Sequence, residues 1–304
     1  MKVLYLGSFD FDWNTESYVA RAFERLGHEV RRLNEADTNE HQLGMAIRET
    51  QPALFLFAKG RLNGNFDPAV SGVRQALHDV RGLCRNVCCW VFDLLAHEYS
   101  RQRWTWARSV NELVDTFFVT DGYSATKLSR AVVLRQGVPD DYRTGMRRPE
   151  WIAPVAFLGG AYGERKPLLD LVATEVKNRL GTPLLHVQTV RGADLSDMMA
   201  SVGCVFGPHW PAYPSYGSNR AYVVAGYGGC FVCPVADWMT EEGWVAGEHY
   251  RPYDPGNRWD AVEQVLVAVG DREGSAAIAA RAAKFARSSF SYDRRVQQLV
   301  DNLK

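Results

Sequence analysis

Neither sign of charge is in surplus in this chain: 35 Lys and Arg face 35 Asp and Glu across 304 residues. That argues against a polybasic nucleic-acid tail while leaving room for a local basic face. Long hydrophobic runs are absent, and none approaches the ~20 residues of a membrane span. The opening stretch, Met1-Lys2-Val3-Leu4-Tyr5-Leu6-Gly7, is too short in apolar residues for an export signal and has no small-residue cleavage site. It reads as a first β-strand, and the expectation is a cytoplasmic protein with no membrane partner. Cysteine is scarce: Cys84, Cys88, Cys89, Cys204, Cys230 and Cys233. Cys230-Phe-Val-Cys233 has redox or half-zinc spacing. On a strand, however, its two thiols point to opposite faces, and no second pair matches it. The six are expected to be reduced, buried, small apolar residues. Both a Walker ending and a G-x-G-x-x-G loop are missing.

What the chain does have is a repeated strand–loop–helix pattern, and 46% hydrophobic residues with which to bury it. Strands are expected at Val3–Leu6, Glu29–Leu33, Ala53–Ala58, Val87–Phe92, Phe117–Thr120 and Val132–Leu134. Helices fall between them, near 16–26, 40–49, 68–82, 101–112 and 123–129. Tyr18, Val19, Ala22, Phe23 and Leu26 make one helical stripe, and Gly27 is placed to stop that helix. A junction rich in Pro, Gly and charge spans Gln136–Trp151. A second alternation follows, with strands Val155–Leu158, Leu184–Val187, Cys204–Gly207 and Phe231–Val235. Its helices are expected at 166–179, 194–200 and 218–226. A polar loop then runs to 257, before helices near 258–269, 274–287 and 291–303. This predicts an α/β protein of two facing Rossmann-like, doubly wound domains, each a parallel sheet with helices on both faces. The boundaries are 1–149 and 150–289, with 290–304 packing back on the first. Ligands in such sheets bind outside the carboxyl ends of the strands.

Two stretches carry phosphate chemistry. Gly159-Gly160-Ala161-Tyr162-Gly163, followed by Arg165 and Lys166, stands between a strand and a helix. There backbone N–H groups approach a phosphate and the cations neutralise it; a plain turn with exposed basic residues is the alternative. Ser218-Asn219-Arg220 opens the next helix, a natural anion site, with ordinary capping as the alternative. Gly228-Gly229 closes that helix, either near the ligand or simply as its stop.

Taken in order, many pieces resemble the CgeB-like branch of the GT-B glycosyltransferases, within the group 1 superfamily. In the first half they are Leu6-Gly7-Ser8, Thr15-Glu16-Ser17-Tyr18, Leu26-Gly27-His28-Glu29-Val30, Trp90-Val91-Phe92-Asp93-Leu94, Thr120-Asp121-Gly122 and Arg135-Gln136-Gly137-Val138. In the second half they are Ala156-Phe157-Leu158-Gly159, Ser218-Asn219-Arg220-Ala221-Tyr222, Gly228-Gly229-Cys230-Phe231, Gly247-Glu248-His249 and Ser291-Tyr292-Asp293-Arg294-Arg295-Val296. The resemblance implies a hexosyltransferase whose C-terminal domain holds a nucleotide sugar, with uracil as its base, and whose N-terminal domain binds the acceptor. Gly159, Gly160, Tyr162, Arg165 and Lys166 would face the diphosphate. Ser218, Asn219, Arg220, Gly228 and Gly229 would lie near the donor, and Glu241 or Glu242 would hold ribose hydroxyls. Gly7 and Ser8 would border the acceptor. The superfamily often carries two glutamates eight residues apart in the donor domain; Tyr213 and Ala221 stand there instead. The UDP-sugar is a co-substrate, and no obligate cofactor or metal is implied. The one Asp-x-Asp, Asp10-Phe-Asp12, sits in the wrong half for the donor.

An inverting transfer needs a general base by the acceptor; a retaining front-face reaction needs none. Asp93, at the end of a strand, is the first candidate, with helix capping as its alternative. Glu16 and Asp12, with Asp10, form an acidic cluster that supplies further candidates; His97 is a weaker one. Arg101-Gln-Arg103-Trp104-Thr-Trp106-Ala-Arg108 interleaves cations with aromatics, which suits phosphates and exposed bases. Residues 59–108 hold eight Lys and Arg against four acids, and residues 123–148 hold six against two. The alternative is a helix with Trp inside and Arg in solvent. Compact members of the branch resemble proteins of bacterial viruses, some of which glycosylate hydroxymethylated pyrimidines in DNA. A 5-hydroxymethylcytosine-type base in duplex DNA is therefore the first expectation for the acceptor. A bacterial surface glycan, spore-coat protein or small metabolite is the second, and a non-catalytic binding module the third.

Overall fold

The computed structural model describes residues 1–65, 67–95, 101–161, 163, 165–208 and 215–303, with the Arg101 side chain left aside. Tyr162, His97 and Tyr213 lie outside the described residues. The chain divides into two compact units, Met1–Gln136 with Tyr292–Lys304, and Gly137–Ser291.

In the first unit, β1 (Lys2–Gly7), β2 (Glu29–Asn34), β3 (Leu54–Phe57), β4 (Asn86–Trp90), β5 (Thr116–Val119) and β6 (Ala131–Val133) form a sheet in the order β2-β1-β3-β4-β5-β6. Every pair is parallel, with Val3 opposite Val30 on one side and Leu54 on the other. The strands read as continuous apolar runs because both faces are covered. Val3 and Tyr5 enter one core, with Tyr18, Phe23, Trp90 and Tyr292; Leu4 and Leu6 enter the other, with Ile47, Phe57 and Trp106. The crossovers are α1 (Thr15–Arg25), α2 (Glu40–Thr50), α3 (Ser71–His78), α4 (Arg101–Leu113) and α5 (Gly122–Lys127).

The single helix expected over 68–82 is shorter than its pattern. Asp67 accepts the backbone N–H of Ala69 and Ser71 at 2.8 and 2.6 Å, so α3 starts only at Ser71. A separate 3-10 turn, Arg81–Leu83, follows it.

In the second unit, β7 (Ala153–Leu158), β8 (Leu185–Val187), β9 (Val202–Phe206), β10 (Phe231–Pro234) and β11 (Arg251–Tyr253) form a parallel sheet in the order β11-β10-β9-β7-β8. Around it lie α6 (Arg165–Leu180), α7 (Gly192–Ser201), α8 (Asn219–Gly226), α9 (Asp237–Glu241), α10 (Arg258–Gly270) and α11 (Arg272–Phe290). The polar stretch expected as loop to 257 thus contains a helix and an edge strand. Arg251-Pro252-Tyr253 has no strand signature of its own; it is a strand because Val232, Cys233 and Pro234 pair with it.

The last helix, α12 (Tyr292–Asp301), belongs to the first unit. Tyr292 stacks on Tyr18 at 5.6 Å, Arg25 pairs with Asp293 at 2.6 Å, and Arg295 donates to the Gln136 carbonyl at 3.0 Å. All six cysteines are free and buried. Burial pushes Cys84 up to about 11 and Cys88 to about 12, so they remain thiols at neutral pH. Among the described residues, no helix is long and apolar enough to cross a membrane, and no three His, Cys, Asp or Glu gather as metal ligands.

Candidate active site

At the carboxyl edge of the second sheet, β7 ends in Leu158 and the chain turns at Gly159, whose φ is +110°. That left-handed value favours glycine. A Cβ there would also stand 3.1 Å from the Arg220 guanidinium. Arg220, the second residue of α8, is only 9% exposed. Its Nε donates to the Leu158 carbonyl at 2.7 Å, Nη1 reaches the Pro208 carbonyl at 3.5 Å, and the group lies 5.0 Å over the Phe157 ring. A buried cation is thereby aimed at the glycine turn. The Ser218 hydroxyl caps α8 by accepting from Arg220 N. Asn219 Oδ1 is buried with no hydrogen-bond partner among the described residues.

His186, which sequence reasoning passed over, donates through Nε2 to the Gly159 carbonyl at 2.7 Å and so pins the turn. Gly160 is half-buried beside it, and Arg165 is buried at the start of α6. Lys166 is exposed and spends its ammonium on Asp170 at 2.6 Å. Glu242 is half-buried and accepts from the Tyr222 hydroxyl of α8, whereas Glu241 is exposed.

Gly228 and Gly229 make the helix stop that was one of the two roles expected of them. Gly229 N–H returns to the Val224 carbonyl at 2.8 Å and Gly228 N–H to Ala225 at 2.9 Å, which is a Schellman stop. They end α8 about 12 Å from its first turn.

In the first unit the corresponding edge is acidic. Glu16, in the first turn of α1, is 4% exposed. Gly7 makes room for it, since a Cβ there would fall 2.8 Å from Glu16 Cγ. Burial raises the Glu16 carboxyl above its ordinary value; Lys59, at 3.8 Å, opposes the shift, and Glu35 and Asp93 add to it. Glu35, also unforeseen, is buried and raised for the same reason, and it accepts weakly from Arg61 N–H at 3.4 Å. Asp93 is exposed. Its carbonyl accepts from the Thr120 hydroxyl at 3.1 Å. Glu16, Glu35 and Asp93 therefore share one field at the carboxyl ends of β1, β2 and β4. Asp12 stands apart with an exposed side chain, and its carbonyl accepts from Arg21 at 2.9 Å. Ser8 donates to Asp10 at 3.2 Å and receives Asn14 Nδ2 at 3.1 Å.

Within the Arg–Trp stretch, Trp106 needs correcting. Trp106 is 4% exposed, meets Phe117 edge-on, and donates from Nε1 to the Lys59 carbonyl at 3.0 Å. It is core and cannot stack on a ligand. Trp104 is half-buried against that core with Arg108 at 5.8 Å over its ring, and Arg103 and Arg108 face solvent.

No protein-family model matches this sequence. No curated protein matches it either. Solved structures do match. Anabaena HepE (Alr3699) in complex with UDP and glucose aligns with a TM-score of 0.67 at 14% identity, covering 100% of this chain and 99% of that one. An alpha-glucosyltransferase in complex with UDP-glucose and DNA containing an abasic site gives 0.72 at 9% identity, with the same coverage. TarM gives 0.53 at 7% identity over 86% of this chain and 57% of its own. Two parallel sheets with interleaved helices, matched along the whole chain, give this protein the α/β fold of the GT-B glycosyltransferases.

Proposed function

We propose that the protein is a glycosyltransferase that moves a hexose from a UDP-sugar to an acceptor hydroxyl. The observation that carries this reading is the buried Arg220, held by backbone carbonyls against the left-handed turn at Gly159. It is supported by a fold that, in HepE and in the alpha-glucosyltransferase, was solved with UDP-glucose bound. In this reading the second unit takes the donor. The backbone N–H of Gly160 at the Gly159 turn, with Arg165, Lys166, Ser218, Asn219 and Arg220, meets the diphosphate, and Glu241 or Glu242 takes ribose hydroxyls. The bond between the sugar carbon and the phosphate oxygen breaks, leaving UDP. A bond to the acceptor oxygen forms, and its proton passes to Asp93 or Glu16. Charge grows on the leaving diphosphate, so an aimed, desolvated guanidinium contributes more in the transition state than in the ground state.

The test is a panel of nucleotide sugars incubated with the protein, with hydrolysis and transfer read by mass. UDP-sugar turnover is expected, falling about 10²-fold or more in Arg220→Lys. If no nucleotide sugar is turned over or bound, the reading is wrong.

A second reading of the acceptor, a hydroxymethylated pyrimidine in duplex DNA, is favoured by the solved DNA complexes of the alpha-glucosyltransferase and by the solvent-facing Arg103 and Arg108. Under it, Arg103→Gln with Arg108→Gln weakens DNA binding and lowers its salt slope by about 2. An unchanged slope removes the arginines from any phosphate path.

A further inference from the structure

Phe11 and Trp13, on the loop between β1 and α1, are 51% and 46% exposed. Their rings nevertheless stack on each other, with centroids 4.8 Å apart and planes 9° from parallel. Among the described residues, no other ring pair has both members exposed. The loop is held firmly under them. Asn14 N–H and the Ser17 hydroxyl both donate to the Phe11 carbonyl, at 3.1 and 2.9 Å, and Arg21 donates to the Asp12 carbonyl at 2.9 Å. Asn14 Nδ2 ties the loop back to Ser8, beside Gly7 and Glu16. Two large apolar faces are thus fixed in water next to the acidic edge, with their ordering cost already met before any ligand arrives.

The charge around the pair selects what covers it. Residues 7–17 contain Asp10, Asp12 and Glu16 and no lysine or arginine. Three cations reach this stretch, each already engaged: Arg21 donates Nη1 to a backbone carbonyl and lies 4.9 Å over the Tyr18 ring, Lys59 pairs with Glu16 at 3.8 Å, and Arg32, 5.8 Å over the Phe9 ring, pairs with Glu24 at 2.7 Å. A nucleic acid brings a phosphate at every step and finds these cations already engaged, whereas its binding rests on cations. A saccharide has what the patch lacks. Its ring C–H groups present a weakly positive face to the negative face of an indole, and its hydroxyls donate to carboxylates.

We propose that the stacked Phe11–Trp13 pair, flanked by Asp10 and Asp12, is the platform on which a pyranose ring of a glycan acceptor lies. The proposal deepens the glycosyltransferase reading and rests on it for the word acceptor. Its test is chosen to be independent of turnover: binding of the full chain to an array of neutral oligosaccharides, compared with duplex DNA containing 5-hydroxymethylcytosine. Wild-type protein is expected to retain a subset of the glycans. Trp13→Ala should weaken that binding about tenfold, and Trp13→Phe should restore most of it. UDP-sugar hydrolysis should stay within about twofold in both variants, because the loop lies outside the donor unit. Wild-type protein that binds no glycan, or that binds one equally well after Trp13→Ala, overturns the platform. DNA binding without glycan binding does so too. Absence of UDP-sugar hydrolysis with Trp13-dependent glycan binding would instead retain the platform and sink the transferase reading.

Discussion

Glu16 and Asp93 lie in one electrostatic field but differ in burial, and that difference separates what each substitution does. Glu16 is raised by desolvation, so the native state holds its proton to a higher pH than the unfolded chain does. Between the ordinary carboxylate value and the raised one, the native state binds more protons, so stability falls as pH rises through that window. Glu35 adds the same sign. Glu16→Gln removes the buried charge. It is expected to raise the melting temperature at pH 8 and to lose that advantage below about pH 4, where both forms are neutral. If Glu16 also takes the acceptor proton, the same variant loses transfer while gaining stability, the mark of a carboxylate retained for function. Asp93→Asn alters an exposed group and is expected to shift stability by no more than about 0.5 kcal/mol. Any loss of transfer in it then reports on chemistry. Thermal melts across pH, set beside turnover, read both.

Element ends set the site more than element interiors do. β1 terminates in Gly7 because Glu16 of α1 lies where a side chain would go. Gly7→Ala therefore overpacks a fixed contact and is expected to cost about 1–3 kcal/mol by denaturant titration, with Glu16 displaced. At the other end of the molecule's chemistry, Gly228 holds φ +84° in the stop of α8, with open space where a Cβ would point. Gly228→Ala meets no clash and pays only for the left-handed backbone, about 1–2 kcal/mol. Donor turnover should survive that change, because Arg220 and Asn219 sit at the opposite end of the helix. A loss of turnover at unchanged stability would restore Gly228 to the binding site.

For the whole molecule, α12 is the element whose removal is most telling. It follows the second unit in sequence yet completes the first, burying Tyr292, Val296 and Leu299 against Tyr18 and Trp90. Each such side chain contributes about 1.5–3 kcal/mol. A chain stopped after Ser291 is expected to lose several kcal/mol from the first unit alone. Calorimetry should then resolve a lowered transition for residues 1–136 and one near its original temperature for 137–291; equal lowering of both would tie the units' stabilities together.

Local rules sufficed wherever a segment carries its own pattern. The apolar runs of β1, β3 and β4, the stripe of α1 and the capped start of α8 were all readable, since periodicity and end chemistry act within a few residues. The glycine turn at Gly159 and the arginine at 220 were legible for the same reason. Other features were decided only when distant segments met. β11 is a strand through its ladder to β10, and α3 starts only at Ser71, after the Asp67 carboxylate has taken the backbone N–H groups of Ala69 and Ser71. Trp106 turned inward to reach the Lys59 carbonyl, and Glu35 and His186 joined their clusters across 19 and 27 residues of sequence, counted from Glu16 and Gly159 respectively. Periodicity states which side of a helix is apolar. Whether a given aromatic on that side is covered, or left bare like Phe11 and Trp13, depends on what packs over it, and only the tertiary structure supplies that.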